Sequence, residues 1–240
     1  MTLAYDLSDI NQAWIDTDPR GGPVRLIING RHRKPTGRWH SHKNRRSMPW
    51  EAKGEREQME LLEADAEVRS YLAQPHRLTM LDEGGRRLVY YPDLRVDRVG
   101  GRTEIIEIRR ENPEGREDPD YDRKLRRAAS VYESLGWRFR DLTRKMVRAH
   151  PGFAVAHEIC LDGGVDVPPH LLVTVLRAFD AHPTLPLGRV VDALGGGTAG
   201  RARLHALTVR RVLALRLDAV LHHASPVGLA PERDVPTRVA

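Results

Sequence analysis

Two glycine pairs, Gly84-Gly85 and Gly100-Gly101, bracket the run Arg87 to Val96 and frame the first half of the chain. Adjacent glycines adopt turn conformations that other residues resist, so the run between them reads as a strand with a turn at either end. Thr103 to Arg110 follows as a second strand. Its alternation sets Ile106 and Ile108 on one face and Ile105, Glu107 and Arg109 on the other. A loop with Pro113, Gly115 and Pro119 leads into a helix from about Asp120 to Leu135, closed by Gly136 at a C-cap position, and Trp137 to Leu142 is a further strand. Upstream, Trp50 to about Ala66 favours helix, with Met59, Leu62 and Ala66 on one face. Val68 to Ala73 is a short strand stopped by Gln74-Pro75, and Val24 to Ile28 can form another. Helix, strands, helix and strand in this order predict a mixed α/β sheet flanked by helices.

The pattern changes after His150-Pro151-Gly152. The segment to Gly164 is ambiguous, and Val167-Pro168-Pro169 reads as a connector. Beyond it the periodicity is helical: Leu171 to Ala181, Leu187 to Leu194, a break at Gly195-Gly196-Gly197, then Ala199 to about His222 carrying Arg201, Arg203, Arg210, Arg211 and Arg216. Three helices with a basic last one outline a helix-turn-helix or winged-helix domain; a plain three-helix packing module fits as well. The organisation expected is an N-terminal arm over 1–30, an α/β domain over 31–150 and a small helical, winged-helix-like domain over 168–240.

Charge narrows the partners. The 240 residues carry 39 Lys plus Arg against 33 Asp plus Glu, a formal +6. Arg31, Arg33, Lys34, Arg38, Lys43, Arg45 and Arg46 form one run without an acid, interleaved with His32, His40 and His42. Arg123, Lys124, Arg126 and Arg127 form another on the predicted helix. Such blocks are solvated surface or phosphate contacts, which gain from counterion release. No run approaches the roughly 20 apolar residues of a membrane span, and the first residues lack a secretion signal. The single Cys160 cannot form an intramolecular disulfide and suits a reducing cytoplasm; it reads as a core filler rather than a nucleophile. His40 and His42 lack further ligands at zinc spacing, and His222-His223 reads as surface or wing.

Chemistry points to the two strands. Tyr91-Pro92-Asp93 falls within the first and Glu107-Ile108-Arg109 within the second. Proline is unfavourable in a central strand, so Pro-Asp there implies an edge, a bulge or a site. Carboxylates on neighbouring strands suit a hard divalent cation, which polarises a phosphoryl oxygen and lowers the pKa of a water. A cross-strand ion pair is the plainer alternative.

The stretch from about Arg38 to Val147 resembles the catalytic domain of the TnsA-like transposon endonucleases, within the PD-(D/E)XK nuclease superfamily. The matching series is Met48-Pro49-Trp50-Glu51-Ala52-Lys53-Gly54-Glu55, Leu61-Leu62-Glu63-Ala64-Asp65, Val68 through Gln74-Pro75, Tyr91-Pro92-Asp93, Ile105-Ile106-Glu107-Ile108-Arg109, and the later helix with Gly136 and a strand. The resemblance implies that Glu55, Asp93 and Glu107 hold Mg²⁺, with Mn²⁺ as a possible substitute. Glu51 competes with Glu55, and Gln74 belongs to the wall. Arg109 stands where the family has a catalytic lysine. It stays protonated and cannot act as a base, though it can stabilise phosphate charge, and Lys124 is a candidate substitute. Arg38, Lys43, Arg45, Arg46, Arg123, Arg127, Arg201, Arg203 and Arg210 are the expected contacts to double-stranded DNA. The family further implies a separate transposase subunit as partner and cutting at transposon 5′ ends. A weak or inactive DNA-binding or assembly subunit, and a free-standing restriction or repair nuclease, are the alternatives.

Overall fold

The computed structural model describes residues 2–7, 12–25, 35–82, 84–109, 118–218 and 220–231. Arg31, Arg33, Lys34, Arg110 and most of the strand expected at Val24 to Ile28 lie outside the described residues. The chain is mixed α/β and divides into two compact units. One comprises Met1–Trp39, Ser47–Glu55 and Ser70–Arg144; the other comprises His40–Arg46, Arg56–Arg69 and Lys145–Ala240. The units interleave along the chain, whereas the sequence pattern marks a single change after His150.

The first unit is built on two four-stranded sheets. In one, β1 (Thr2–Asp6), β2 (Ala13–Thr17), β6 (His76–Leu81) and β7 (Arg87–Tyr90) lie in that order, each antiparallel to its neighbour. The other has the order β10 (Arg138–Thr143), β9 (Thr103–Arg109), β8 (Leu94–Arg98), β5 (Val68–Ala73). In it β8 runs antiparallel to β9 and β10 runs parallel to it. A parallel neighbour requires a crossover, which helix α2 (Pro119–Ser134) supplies; helix α1 (Lys53–Ala64) precedes β5. Ahead of α1 in the chain, β3 (Gly37–Ser41) and β4 (Arg46–Trp50) form a two-stranded sheet where the sequence suggests a basic loop.

The single strand expected over Arg87 to Val96 is two. β7 ends at Tyr90, β8 begins at Leu94, and the two belong to different sheets. Pro92 has no N–H to give to a ladder, so pairing stops there. Strands β1, β2 and β6 are additional to the sequence reading. The apolar residues of β2 and β6 alternate inward, as Ala13 and Ile15 and as Leu78 and Met80, and join Tyr90, Ile105 and the buried α2 face of Leu125, Ala128, Val131 and Tyr132 in one core. Tyr132 Oη lies 2.7 Å from His76 Nε2. Burial holds this imidazole neutral, pushing its pKa down to about 3.

In the second unit the ambiguous segment is helical, as α3 (Arg144–Arg148, which begins in the first unit) and α4 (Phe153–Leu161). Then follow α5 (Pro169–Ala178), β11 (Thr184–Pro186), α6 (Leu187–Ala193), α7 (Gly197–Val209), β12 (Leu213–Leu215) and β13 (Pro226–Leu229). The last three strands form an antiparallel sheet of order β11-β13-β12. The long helix expected from Ala199 to His222 therefore stops at Val209. Arg211 takes the left-handed conformation, φ 55°. Its N–H reaches Thr208 O at 3.0 Å, and Val212 N–H reaches Leu207 O at 2.9 Å. This is a Schellman closure with arginine where glycine usually stands.

Helices α6 and α7 approach closely at Gly200, where a β-carbon would lie 2.3 Å from Val191 O. Alanine normally favours a helix over glycine by about 1 kcal/mol, so the sign of its effect here is diagnostic. Gly200→Ala is expected to destabilise by about 1–3 kcal/mol, the cost of overpacking, measured by denaturant unfolding. A neutral or stabilising result would contradict the close packing.

Candidate active site: a buried carboxylate cluster

Strand β9 is covered on both faces, so Glu107 at its middle is 6% exposed. Two tyrosines hold its carboxylate. Tyr90, at the end of β7, donates to Oε2 at 2.6 Å, and Tyr121, in the first turn of α2, donates to Oε1. Asp93 lies in the gap between β7 and β8, and its Oδ2 accepts the Ile108 N–H at 2.7 Å. Its backbone carbonyl accepts the Gln74 N–H at 2.9 Å. Gln74 turns the chain with φ 47° and is buried, and its Oε1 has no hydrogen-bond partner among the described residues. Glu55 opens α1, buried, with Oε2 accepting the Glu51 N–H at 2.9 Å. The preceding Gly54 permits this approach: a β-carbon there would lie 2.9 Å from Ile108 Cγ2. Glu51 itself is half-buried and ion-paired with Arg25 at 3.5 Å. Glu55 is thus the carboxylate nearer in character to Asp93 and Glu107.

Electrostatics tie the three together. Burial raises the pKa of Asp93 well above the ordinary carboxylate range, and the charges of Glu107 and Glu55 raise it further. Burial likewise pushes Glu55 up from 4.5 to about 7; the Glu51 N–H opposes this, and the Glu51 and Glu107 charges add to it. Glu107 is raised by burial against the opposing hydrogen bonds of Tyr121 and Tyr90. Like charges that share a dry site favour protonation unless a cation enters.

The cation expected beside the cluster is ion-paired, with its guanidinium 6.0 Å from the Tyr121 ring centroid. Arg109 Nη1 lies 2.5 Å from Asp122 Oδ1 on α2, and its Nε lies 2.5 Å from Asp141 Oδ2 on β10. Its guanidinium thus joins α2 to β10. Lys124, one helical turn beyond Tyr121, places Nζ 5.3 Å from the Tyr121 ring centroid, and its charge counters the rise of Glu107. Among the described residues it has no ion pair. Tyr90, Tyr121, Asp122 and Asp141 were not among the expected site residues. Asp141 is Cα partner to Glu107 across the parallel pair, a register that sequence spacing does not reveal.

The expected DNA contacts divide. Arg38, Arg45 and Arg201 are exposed, and Arg46 is half-buried. Arg123 is exposed and paired with Asp120 at 3.0 Å. Four others are committed to the fold. Lys43 Nζ donates at 2.6 Å to both Leu62 O and Asp65 O, closing the end of α1, and burial pushes its pKa down to about 7. Arg203 Nη1 donates to Leu194 O at 2.7 Å behind α6, and Arg210 Nη2 to Val165 O at 2.6 Å in the connector. Arg127 Nε donates to Leu81 O at 3.2 Å. Unpaired carbonyls at helix ends and loops attract these cations, so Lys43, Arg203, Arg210 and Arg127 are structural first. Cys160 is half-buried, and burial pushes its thiol pKa up, away from the reactive thiolate.

Every donor of the cluster is a carboxylate oxygen, which fits a hard divalent ion. As the side chains stand, each held by a protein hydrogen bond, no group of three or more His, Cys, Asp or Glu among the described residues is gathered closely enough to hold a metal. No protein-family model matches the chain, and no curated protein is significantly similar to it. No helix among the described residues is long and apolar enough to cross a membrane.

Carboxyls whose folded pKa is raised bind more protons folded than unfolded, so their contribution to stability falls as pH rises. For Glu55 that fall spans the interval from 4.5 to about 7. In metal-free buffer, Glu55→Gln is therefore expected to gain in melting temperature relative to the parent as pH rises through this window. A parent-to-variant difference independent of pH would contradict the buried, charged cluster.

Proposed function

We propose that the first unit is a metal-dependent DNA endonuclease of the PD-(D/E)XK type, and that the chain is a TnsA-like subunit cutting transposon 5′ ends beside a separate transposase. The observation that carries this reading is that Glu55, Asp93 and Glu107 act on one another electrostatically, the charges of Glu107 and Glu55 raising the pKa of Asp93 and that of Glu107 raising the pKa of Glu55. They form an all-oxygen set, Glu55 and Glu107 buried and Asp93 half-buried, in which none is ion-paired among the described residues. Supporting it, the helix–strands–helix–strand order behind the resemblance runs through α1, β5, β8, β9, α2 and β10, with β9 and β10 parallel. In the second unit, α6 and α7 joined by a glycine turn and followed by the β12–β13 pair have the arrangement of a winged helix, a DNA-binding form.

In this reading Glu55, Asp93 and Glu107 hold Mg²⁺, or Mn²⁺ in its place. The ion supplies polarisation of a phosphoryl oxygen and a water of lowered pKa. The chain's own groups do the positioning. Tyr90 and Tyr121 fix the orientation of Glu107, the Ile108 N–H fixes the Asp93 carboxylate, and Gln74 in the wall holds the Asp93 carbonyl. Lys124, rather than Arg109, presents the cation that favours a phosphate beside Glu107. Arg38, Arg45 and Arg201, all exposed, are the cations offered to double-stranded DNA.

A second reading, a DNA-binding or assembly subunit that does not cut, is favoured by one observation: the position of the family's lysine holds an arginine already clasped by Asp122 and Asp141. Nicking of supercoiled plasmid in Mg²⁺ or Mn²⁺ separates the two. The endonuclease reading predicts cutting by the parent, none by Asp93→Ala, and a loss of about 10²-fold in Lys124→Ala, as for removal of one charge-stabilising donor. Asp93→Ala cutting at the parent's rate would contradict it. Full activity on plain duplex without a partner protein would point to a free-standing restriction or repair nuclease.

A further inference from the structure

The sheet β1-β2-β6-β7 has a second face that the carboxylate site does not use. Alternation sends Ala13, Ile15, Leu78, Met80 and Tyr90 into the core, so Trp14, Asp16, Arg77, Thr79, Leu81, Arg87 and Val89 point the other way. Register sets these in a grid. Trp14 is Cα partner to Thr79, Asp16 to Arg77, Thr79 to Val89 and Leu81 to Arg87. Six of them line a cleft of about 480 Å³: Trp14, Asp16, Arg77, Thr79, Leu81 and Arg87. That volume lies within the roughly 300–1,000 Å³ in which small organic groups are held.

The chemistry of this cleft is mixed in a particular way. Trp14 offers an indole ring that is partly exposed. Arg87 is exposed and has no ion pair among the described residues. Arg77 is oriented by Asp16, which accepts from its Nε at 3.1 Å and Nη2 at 2.8 Å, and the Tyr91 side chain also hydrogen-bonds to it. At the floor, Thr79 is 4% exposed and its hydroxyl has no hydrogen-bond partner among the described residues.

We infer that this face binds an unpaired nucleic-acid strand, with a base stacked on Trp14 and the adjoining phosphates on Arg87 and Arg77. A flat aromatic platform beside guanidinium groups suits a nucleotide, and stacking on an open sheet face is a general mode of single-strand binding. A duplex does not suit the site, because its bases are stacked on each other and offer no ring face to the indole. Two arginines, one of them offset by Asp16, also give too little charge to hold a duplex by phosphate contacts alone. The inference does not require the carboxylate cluster to cut DNA, and Asp93→Ala leaves this face unchanged.

The test is fluorescence anisotropy of the full chain in metal-free buffer, with labelled oligothymidylate and with a duplex of equal length. Trp14→Leu is expected to weaken oligothymidylate binding about tenfold, the effect of losing one stacked base, while Trp14→Phe retains most of the affinity. Arg87→Ala should reduce the salt dependence by about one phosphate contact, a slope change near 0.7 for a single strand. Duplex binding should be unchanged by all three. Unaltered oligothymidylate binding in Trp14→Leu and Arg87→Ala overturns the inference, as does an equal loss of duplex binding. Should Trp14→Leu fail to fold, Arg87→Ala at its exposed position decides the matter alone.

Discussion

Pro92 cannot complete a β ladder, and much of the first unit is arranged around that gap. β7 pairs with β6 as far as Tyr90, and β8 pairs with β9 from Leu94. In the interval the chain passes from one sheet to the other. The residue after the proline is thereby freed from strand pairing, and its carboxylate takes the Ile108 N–H while its carbonyl takes the Gln74 N–H. Tyr90, the last residue before the gap, reaches Glu107 from the opposite side. One break in a strand thus sets an acid against β9 and a phenol against the acid already there.

The consequence is an imbalance of charge. Glu55, Asp93, Glu107, Asp122 and Asp141 are five carboxyls served at close range by Arg109 and Lys124. Arg109 goes to the pair at the rim, Asp122 and Asp141, where partial hydration lowers the cost of keeping all three groups ionised. The inner three are left with neutral donors: two tyrosyl hydroxyls and two backbone N–H groups. Neutral donors soften but do not cancel repulsion in a dry site, hence the upward pKa of all three. Protons restore the balance in the absence of a bound cation.

What could be read from the sequence followed the local signals. Gly136 closes α2 with φ 70°, as its position promised, and β5 spans Val68 to Ala73 because Gln74-Pro75 ends it. The carboxylates Asp93 and Glu107 and the helix acid Glu55 were legible as a series of spaced motifs. What escaped lacked such signals. The end of α7 was hidden because Arg211, not glycine, occupies the left-handed position. β2 and β6 pair across sixty residues of chain, as in Asp16 with Arg77, and only that pairing makes their alternation meaningful. The commitment of Arg109 to Asp122 and Asp141, and of Lys43 to the end of α1, depends on which carbonyls and carboxylates the fold brings near. A count of basic residues contains no trace of it.

The central claim is that the buried acids form a divalent-metal site, and calorimetric titration of Mn²⁺ near neutral pH tests it most directly. Ligating carboxylates must be deprotonated, so binding should release protons from Glu55, Asp93 and Glu107. The account predicts a saturable heat whose size changes between buffers of different ionisation enthalpy, absent in Asp93→Ala. No binding by the parent with or without DNA, or equal binding by Asp93→Ala, would contradict it.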